Sequence, residues 1–92
     1  MTEKYKIGII GLGYVGFPLA CLFAKKYKVI GYDIKESRIN EINQGIDSTN
    51  EVTPEVLKAA LSNGMKCTSR LDDLKSCNVY IVAIPTPVDD FH

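Results

Sequence analysis

The stretch Lys6 to Ala24 reads KIGIIGLGYVGFPLACLFA, and the rest of the chain is best understood from it. A short apolar run, Ile7 to Ile10, meets three glycines, Gly11, Gly13 and Gly16, and an apolar segment with helical character follows at once. A strand that passes into a helix through glycines spaced G-x-G-x-x-G has the form of a phosphate-binding turn. Gly11 lets the chain leave the strand through a tight bend, and Gly13 keeps a side chain from standing between backbone and pyrophosphate. Gly16 lets the helix pack close to the strand. The helix N-terminus adds unpaired N–H groups and a partial positive charge. The same spacing occurs in ordinary flexible loops, so its neighbours must decide.

The pattern requires a strand before, a helix after, and an acidic residue roughly 20 positions on, at the end of the next strand. Val29 to Tyr32 reads as that second strand, and Asp33 stands at its end. A carboxylate there accepts hydrogen bonds from the adenosine ribose hydroxyls and repels the 2′-phosphate of NADP, which points to NAD. Asp33 also suits the N-cap of the helix expected over Lys35 to Gln44, and the two roles are compatible. Arg38, five residues further on, either reaches back over the adenine or its ribose or is a solvated helix residue; spacing leaves both open.

Composition is that of an ordinary soluble globular chain. Of 92 residues, 46% are hydrophobic and 24% charged, and eleven basic residues balance eleven acidic ones. No basic stripe suggests nucleic acid or an anionic membrane surface. The apolar runs fall well short of the roughly 20 residues that span a bilayer, and MTEKYKIGII lacks a signal-peptide layout. Cys21, Cys67 and Cys77 are odd in number, form no C-x-x-C, and lie in apolar or strand-like surroundings, while the one histidine is His92. They read as small buried hydrophobes in a reducing compartment, and no metal site is expected.

In chain order, the first helix is expected over Tyr14 to Lys26. Its many apolar positions (Val15, Leu19, Ala20, Leu22, Phe23 and Ala24) suit a helix packed firmly on a sheet. Pro18 falls at the limit of the turn where a missing N–H is harmless, so a distorted first turn is expected. The second helix should turn Ile39, Ile42 and Ile46 inward and Glu36, Arg38, Glu41 and Asn43 outward, with Gly45 as its C-cap. After a polar loop, Gly45 to Thr53, comes a helix start with Thr53 as N-cap, Pro54 at the first helical position and Glu55 in the first turn. Val56, Leu57, Ala60 and Leu61 form its apolar face, and Asn63-Gly64 ends it.

Met65 to Ser69 is a short third strand, Leu71 to Leu74 a helical turn, and Val79 to Ile84 a fourth strand. The apolar character of that last strand suits a central parallel strand covered on both faces. Right-handed crossovers give the order 3-2-1-4, a Rossmann-like, doubly wound parallel α/β sheet, here partial. Ligands in such sheets bind where the order reverses, between strands one and four. Pro85-Thr86-Pro87 emerges at that crevice, where the Thr86 hydroxyl either bonds to the nicotinamide-side ribose or phosphates or belongs to a plain rigid exit loop.

Taken together, Gly11-Leu12-Gly13-Tyr14-Val15-Gly16-Phe17-Pro18-Leu19-Ala20, Gly31-Tyr32-Asp33 with Arg38, and Val82-Ala83-Ile84-Pro85-Thr86-Pro87 resemble the N-terminus of the UDP-glucose/GDP-mannose dehydrogenase family. Asp47-Ser48-Thr49 is similar to a stretch in the branch acting on UDP-N-acetylhexosamines in bacterial polysaccharide synthesis. The resemblance implies oxidation of a sugar C6 alcohol to a carboxylate by two hydride transfers to two NAD, through a cysteine-linked thiohemiacetal and thioester. It implies a cytoplasmic enzyme, dimeric at full length, with a UDP-sugar substrate. It places Gly11, Gly13, Tyr14 and Val15 at the pyrophosphate, Asp33 and Arg38 at the adenosine, and Thr86 nearer the nicotinamide. None of the three cysteines matches the nucleophile's motif, so no catalytic residue is expected within residues 1–92. That range is expected to be the N-terminal fragment of a dinucleotide-binding domain, inactive alone, with the substrate and catalytic domains absent. The alternatives are another Rossmann NAD-dependent dehydrogenase, or a non-catalytic NAD-sensing module.

Overall fold

The computed structural model describes residues 4–83. Four parallel strands, β1 (Lys6–Ile10), β2 (Lys28–Tyr32), β3 (Lys66–Thr68) and β4 (Val79–Val82), form one sheet in the order β3-β2-β1-β4. The expected order 3-2-1-4 is the one observed. Three helices connect the strands: α1 (Gly16–Phe23), α2 (Glu36–Asn43) and α3 (Pro54–Ser62), with a 3-10 turn at Leu71–Leu74.

Strand alternation sorts the core onto two unequal faces. Ile7 and Ile9 of β1, Val29 of β2 and Cys67 of β3 point to the face that the helices cover. There they pack with Phe17, Ala20, Cys21 and Ala24 of α1 and its end, Ile39 and Ile42 of α2, and Leu57 and Ala60 of α3. On the opposite face Ile30 packs with only Leu74 and Cys77, against partly buried Ile10 and Tyr32. This asymmetry corrects the expectation for β4. Val79 and Ile81 pack on the helical face, but Tyr80 and Val82 are exposed, because they point to the face that, among the described residues, carries only Leu74 and Cys77 as buried cover.

The helix ends follow local chemistry. Phe17 N–H donates to the Gly13 carbonyl (3.1 Å) and Leu19 N–H to the Val15 carbonyl (3.3 Å). The bond that would lie between them, to Tyr14, is the one Pro18 has no N–H to make. Regular helix therefore begins at Gly16, two residues later than Tyr14, as a distorted first turn requires. It also ends sooner than Lys26, loosening after Phe23 into shorter i→i+3 bonds from Lys25 and Lys26. Val15 and Leu22 are exposed, contrary to a helix apolar all round.

Both α2 and α3 end in Schellman motifs. Gly45 (φ 83°) donates to Ile42 and Ile46 to Glu41; Gly64 (φ 104°) donates to Leu61 and Met65 to Ala60. The first motif turns Ile46 outward, where it is exposed rather than buried as expected. Thr53 caps α3, its Oγ1 accepting from Val56 N–H at 3.2 Å.

Two glycines of the turn have opposite tolerances. A Cβ on Gly16 would lie 1.7 Å from the Gly11 carbonyl oxygen, whereas one on Gly13 would meet nothing within 4 Å. Gly16→Ala is therefore expected to lower the unfolding free energy by roughly 3 kcal/mol or more, since backbone rather than a side chain must yield. Gly13→Ala should shift it by less than about 1 kcal/mol. Urea midpoints of the two variants check this, and equal midpoints would refute it.

Candidate functional site

The glycine turn lies at the C-terminal end of β1, in the middle of the sheet. Gly11 (φ 103°) makes the bend in a backbone region that favours glycine, and its N–H donates to the Tyr32 carbonyl at 2.8 Å. Leu12 follows with its side chain fully buried, packed so closely on Gly31 that a Cβ there would approach Leu12 to 2.8 Å. The next residues are open. Tyr14 and Val15 are exposed, and among the described residues the N–H groups of Gly13, Tyr14 and Val15 have no backbone or side-chain acceptor. Three donors at a helix N-terminus, beside a glycine that leaves clear space, fit a pyrophosphate.

Asp33 ends β2 on the same side. Its Oδ2 accepts from Leu12 N–H and its Oδ1 from Lys35 N–H, both at 2.9 Å. The carboxylate thus braces the turn and the approach to α2 together. It serves the start of α2 through Lys35, although the N-cap position itself is Lys35. Each oxygen accepts one of these bonds and has a further lone pair for a ribose hydroxyl.

Arg38 departs most from expectation. Placed outward from helical spacing, it is buried, with only 8% of its surface exposed. Its Nε donates to the Leu12 carbonyl (2.8 Å), and one terminal nitrogen donates to Glu41 (2.6 Å) and Asp47 (2.9 Å). The other lies 3.4 Å from Thr49 Oγ1. The guanidinium stacks 4.6 Å from the Phe17 ring centroid. Glu41, also expected outward, turns in to this charge and accepts from the Ser48 hydroxyl and N–H.

Asp47 completes the cluster. Its Oδ1 accepts from Arg38 and from the Thr49 N–H and hydroxyl, its Oδ2 from the Glu51 and Val52 N–H groups. Burial pushes its carboxyl up, but the bonds from Thr49, Arg38 and Val52 outweigh this and hold it at about 2. Bonds from the Ser48 hydroxyl and N–H, with Arg38 beside them, likewise lower Glu41. Burial opposes the Arg38 charge, yet its bonds to Asp47 and Glu41 raise its pKa.

This cluster was legible only in pieces. Asp47 accepting from the N–H two residues on is a turn that its residue type suggests, and Arg38 and Glu41 stand at helical i, i+3 spacing. No sequence pattern marks Ile34, exposed directly after Asp33; with Tyr14, Val15 and Val82 it offers apolar surface near the strand ends. Thr86 lies outside the described residues.

The cysteines are buried and unsuited to nucleophilic work. Burial pushes the Cys21 thiol up to about 11 and Cys67 to about 12, and raises Cys77. Among the described residues no group of three or more His, Cys, Asp or Glu could hold a metal, and no helix is long and apolar enough to cross a membrane.

Residues 5–92 match the family described as the UDP-glucose/GDP-mannose dehydrogenase family, NAD binding domain. The chain belongs to that family. Its cofactor is NAD. The chain is 52% identical over 88 residues to UDP-N-acetyl-D-glucosamine 6-dehydrogenase of Pseudomonas aeruginosa, covering 96% of this chain and 20% of that protein. A solved UDP-D-ManNAc dehydrogenase from Pyrococcus horikoshii superposes with a TM-score of 0.82 at 40% identity, covering 91% of this chain and 21% of that one. A UDP-N-acetyl-mannosamine dehydrogenase from S. aureus gives 0.82 at 35%, covering 92% and 20%. The chain spans about a fifth of the length of the curated relatives it matches.

The buried cluster gives this family member a pH signature. Asp47 is ordinarily near 3.8 and sits at about 2 when folded, so its stabilisation is present above pH 4 and is lost as pH falls towards 2. The loss should amount to roughly 2 kcal/mol, with Glu41 adding in the same direction. Urea midpoints measured between pH 5 and pH 2 should show this fall, and Asp47→Asn should flatten it.

Proposed function

We propose that this chain is the NAD-binding N-terminal part of a nucleotide-sugar 6-dehydrogenase that oxidises the C6 alcohol of a UDP-N-acetylhexosamine to the uronic acid with two NAD. The observation that carries the reading is the braced Leu12 turn, with the open amides of Gly13, Tyr14 and Val15, in a chain matched by the family's NAD binding domain from residue 5 to 92. The names of its relatives favour an N-acetylhexosamine over glucose or mannose.

NAD, when bound, supplies the hydride acceptor; this chain's residues hold and orient it. Gly11 shapes the turn, Gly13 leaves room for the pyrophosphate, and the Tyr14 and Val15 amides donate to it. Asp33 accepts from the adenosine ribose hydroxyls, and Arg38 stands at the adenosine side of the turn. Thr86 serves the nicotinamide side. Ile34 and Val82 give flat rings an apolar surface. The buried, high-pKa cysteines leave nucleophilic catalysis to the part of the complete enzyme that this chain does not cover, and that enzyme is a cytoplasmic homodimer of polysaccharide biosynthesis.

Two measurements test this on the complete enzyme. Titration calorimetry should give NAD at least about tenfold tighter than NADP, because Asp33 repels a 2′-phosphate; a preference for NADP would refute the role of Asp33. Turnover of UDP-N-acetylglucosamine or UDP-N-acetylmannosamine should yield two NADH per sugar. One NADH would mean an alcohol dehydrogenase, and NAD binding without turnover of any nucleotide sugar would favour a sensing module.

A further inference from the structure

Arg38 stands where a cofactor contact is expected, yet its hydrogen bonds go to the protein. Of the five N–H groups of a guanidinium, bonds to Leu12, Glu41, Asp47 and Thr49 take four. The Leu12 carbonyl that it grips belongs to the residue whose N–H is held by Asp33, and whose side chain is locked against Gly31. The peptide leading from Leu12 to Gly13 is therefore fixed by the Arg38 bond at its oxygen. That peptide carries the Gly13 N–H, and the amides of Tyr14 and Val15 follow directly. Rotating it would swing the first of these donors away from the line of the other two.

We infer that Arg38 is a positioning residue for the pyrophosphate: held by Asp47 and Glu41, it fixes the Leu12–Gly13 peptide so that the amides of Gly13, Tyr14 and Val15 converge. The inference rests on the NAD reading of the turn and changes how Arg38 serves it. A direct adenosine contact would act through the guanidinium surface, but the geometry makes Leu12 its tightest link towards the ligand. It also gives Glu41, on α2, and Asp47, in the loop after it, a role in cofactor binding at a distance from the cofactor. Their carboxylates hold the guanidinium from the side opposite Leu12 by charge-assisted bonds, which are the stronger and more directional kind. Lysine cannot reproduce the arrangement, because a point charge on a flexible stem lacks the planar fork that reaches four acceptors at once.

The test uses Asp47→Asn and Glu41→Gln in the complete enzyme, each loosening Arg38 from a different carboxylate while leaving Arg38 itself in place. Dissociation constants for NAD, ADP-ribose and adenosine are measured by calorimetry or competition, alongside the thermal midpoint. Positioning predicts that NAD and ADP-ribose weaken about tenfold in both variants, the effect of losing roughly one charge-assisted bond's worth of order, while adenosine changes less than about twofold. In turnover, KM for NAD should rise with kcat little altered. Equal losses for adenosine and ADP-ribose would overturn the inference in favour of a direct adenosine contact. A lowered thermal midpoint with all three affinities unchanged, measured well below it, would leave only a structural role and would overturn it too. Wild-type enzyme that fails to bind NAD would overturn the cofactor reading and this inference together, whereas wild type that binds NAD beside variants with unchanged ADP-ribose affinity would remove the inference alone.

Discussion

A full positive charge inside a small α/β unit holds the site together. Taking the Arg38 guanidinium out of water is unfavourable by several kcal/mol unless its donors are met. Here they are met by Leu12, Glu41, Asp47 and Thr49, with the Phe17 ring on one face. The two carboxylates outnumber the single cation, and backbone N–H groups of Ser48, Thr49, Glu51 and Val52 absorb the excess negative charge. Such a cluster differs in kind from the exposed Lys75–Asp72 pair at 3.8 Å. Surface pairs contribute about 0–1 kcal/mol, while removing one partner of a buried pair costs about 3–5 kcal/mol.

On the proposed NAD reading, the cluster serves the cofactor through what it joins. Through Leu12 it reaches the glycine turn, through Phe17 it touches α1, and through Asp47 and Thr49 it pins the loop between α2 and α3. Asp33 ties the same residue, Leu12, from the tip of β2. A phosphate-binding turn needs amides that already point together before the ligand arrives, since order present beforehand is not lost on binding. The glycines make the turn possible; the charged groups behind it hold its Leu12 N–H and carbonyl. The bend and its bracing come from different residues, one set in the turn and one set packed beneath it.

The sheet presents a second physical contrast. One face carries nearly all the helical cover, and the other is covered, among the described residues, by Leu74 of the 3-10 turn and by Cys77 after it. Tyr80 bridges part of that gap, its ring against Gly8 and its hydroxyl donating to the Leu74 and Cys77 carbonyls. Doubly wound sheets are stable when both faces are covered. Tyr80 and Val82, exposed, lie on the less covered face among the described residues.

Local chemistry determined much of this molecule from the sequence. The glycine spacing, the alternating and continuous apolar runs, the Thr53-Pro54-Glu55 helix start and the Gly45 and Gly64 stops each act over a few residues, so each was legible and each set an element near its expected place. The strand order followed because right-handed crossovers leave few alternatives. Helical spacing placed Arg38 and Glu41 outward and Ile46 inward; tertiary structure reversed the first two, and the local cap at Gly45 reversed the third. A period of 3.6 reports which side of a helix faces the sheet, but it is blind to a carbonyl 26 residues earlier or a carboxylate nine residues later in a loop. A buried charge is stable only when several distant groups converge on it, and only the folded chain brings Leu12, Glu41, Asp47 and Thr49 to one guanidinium.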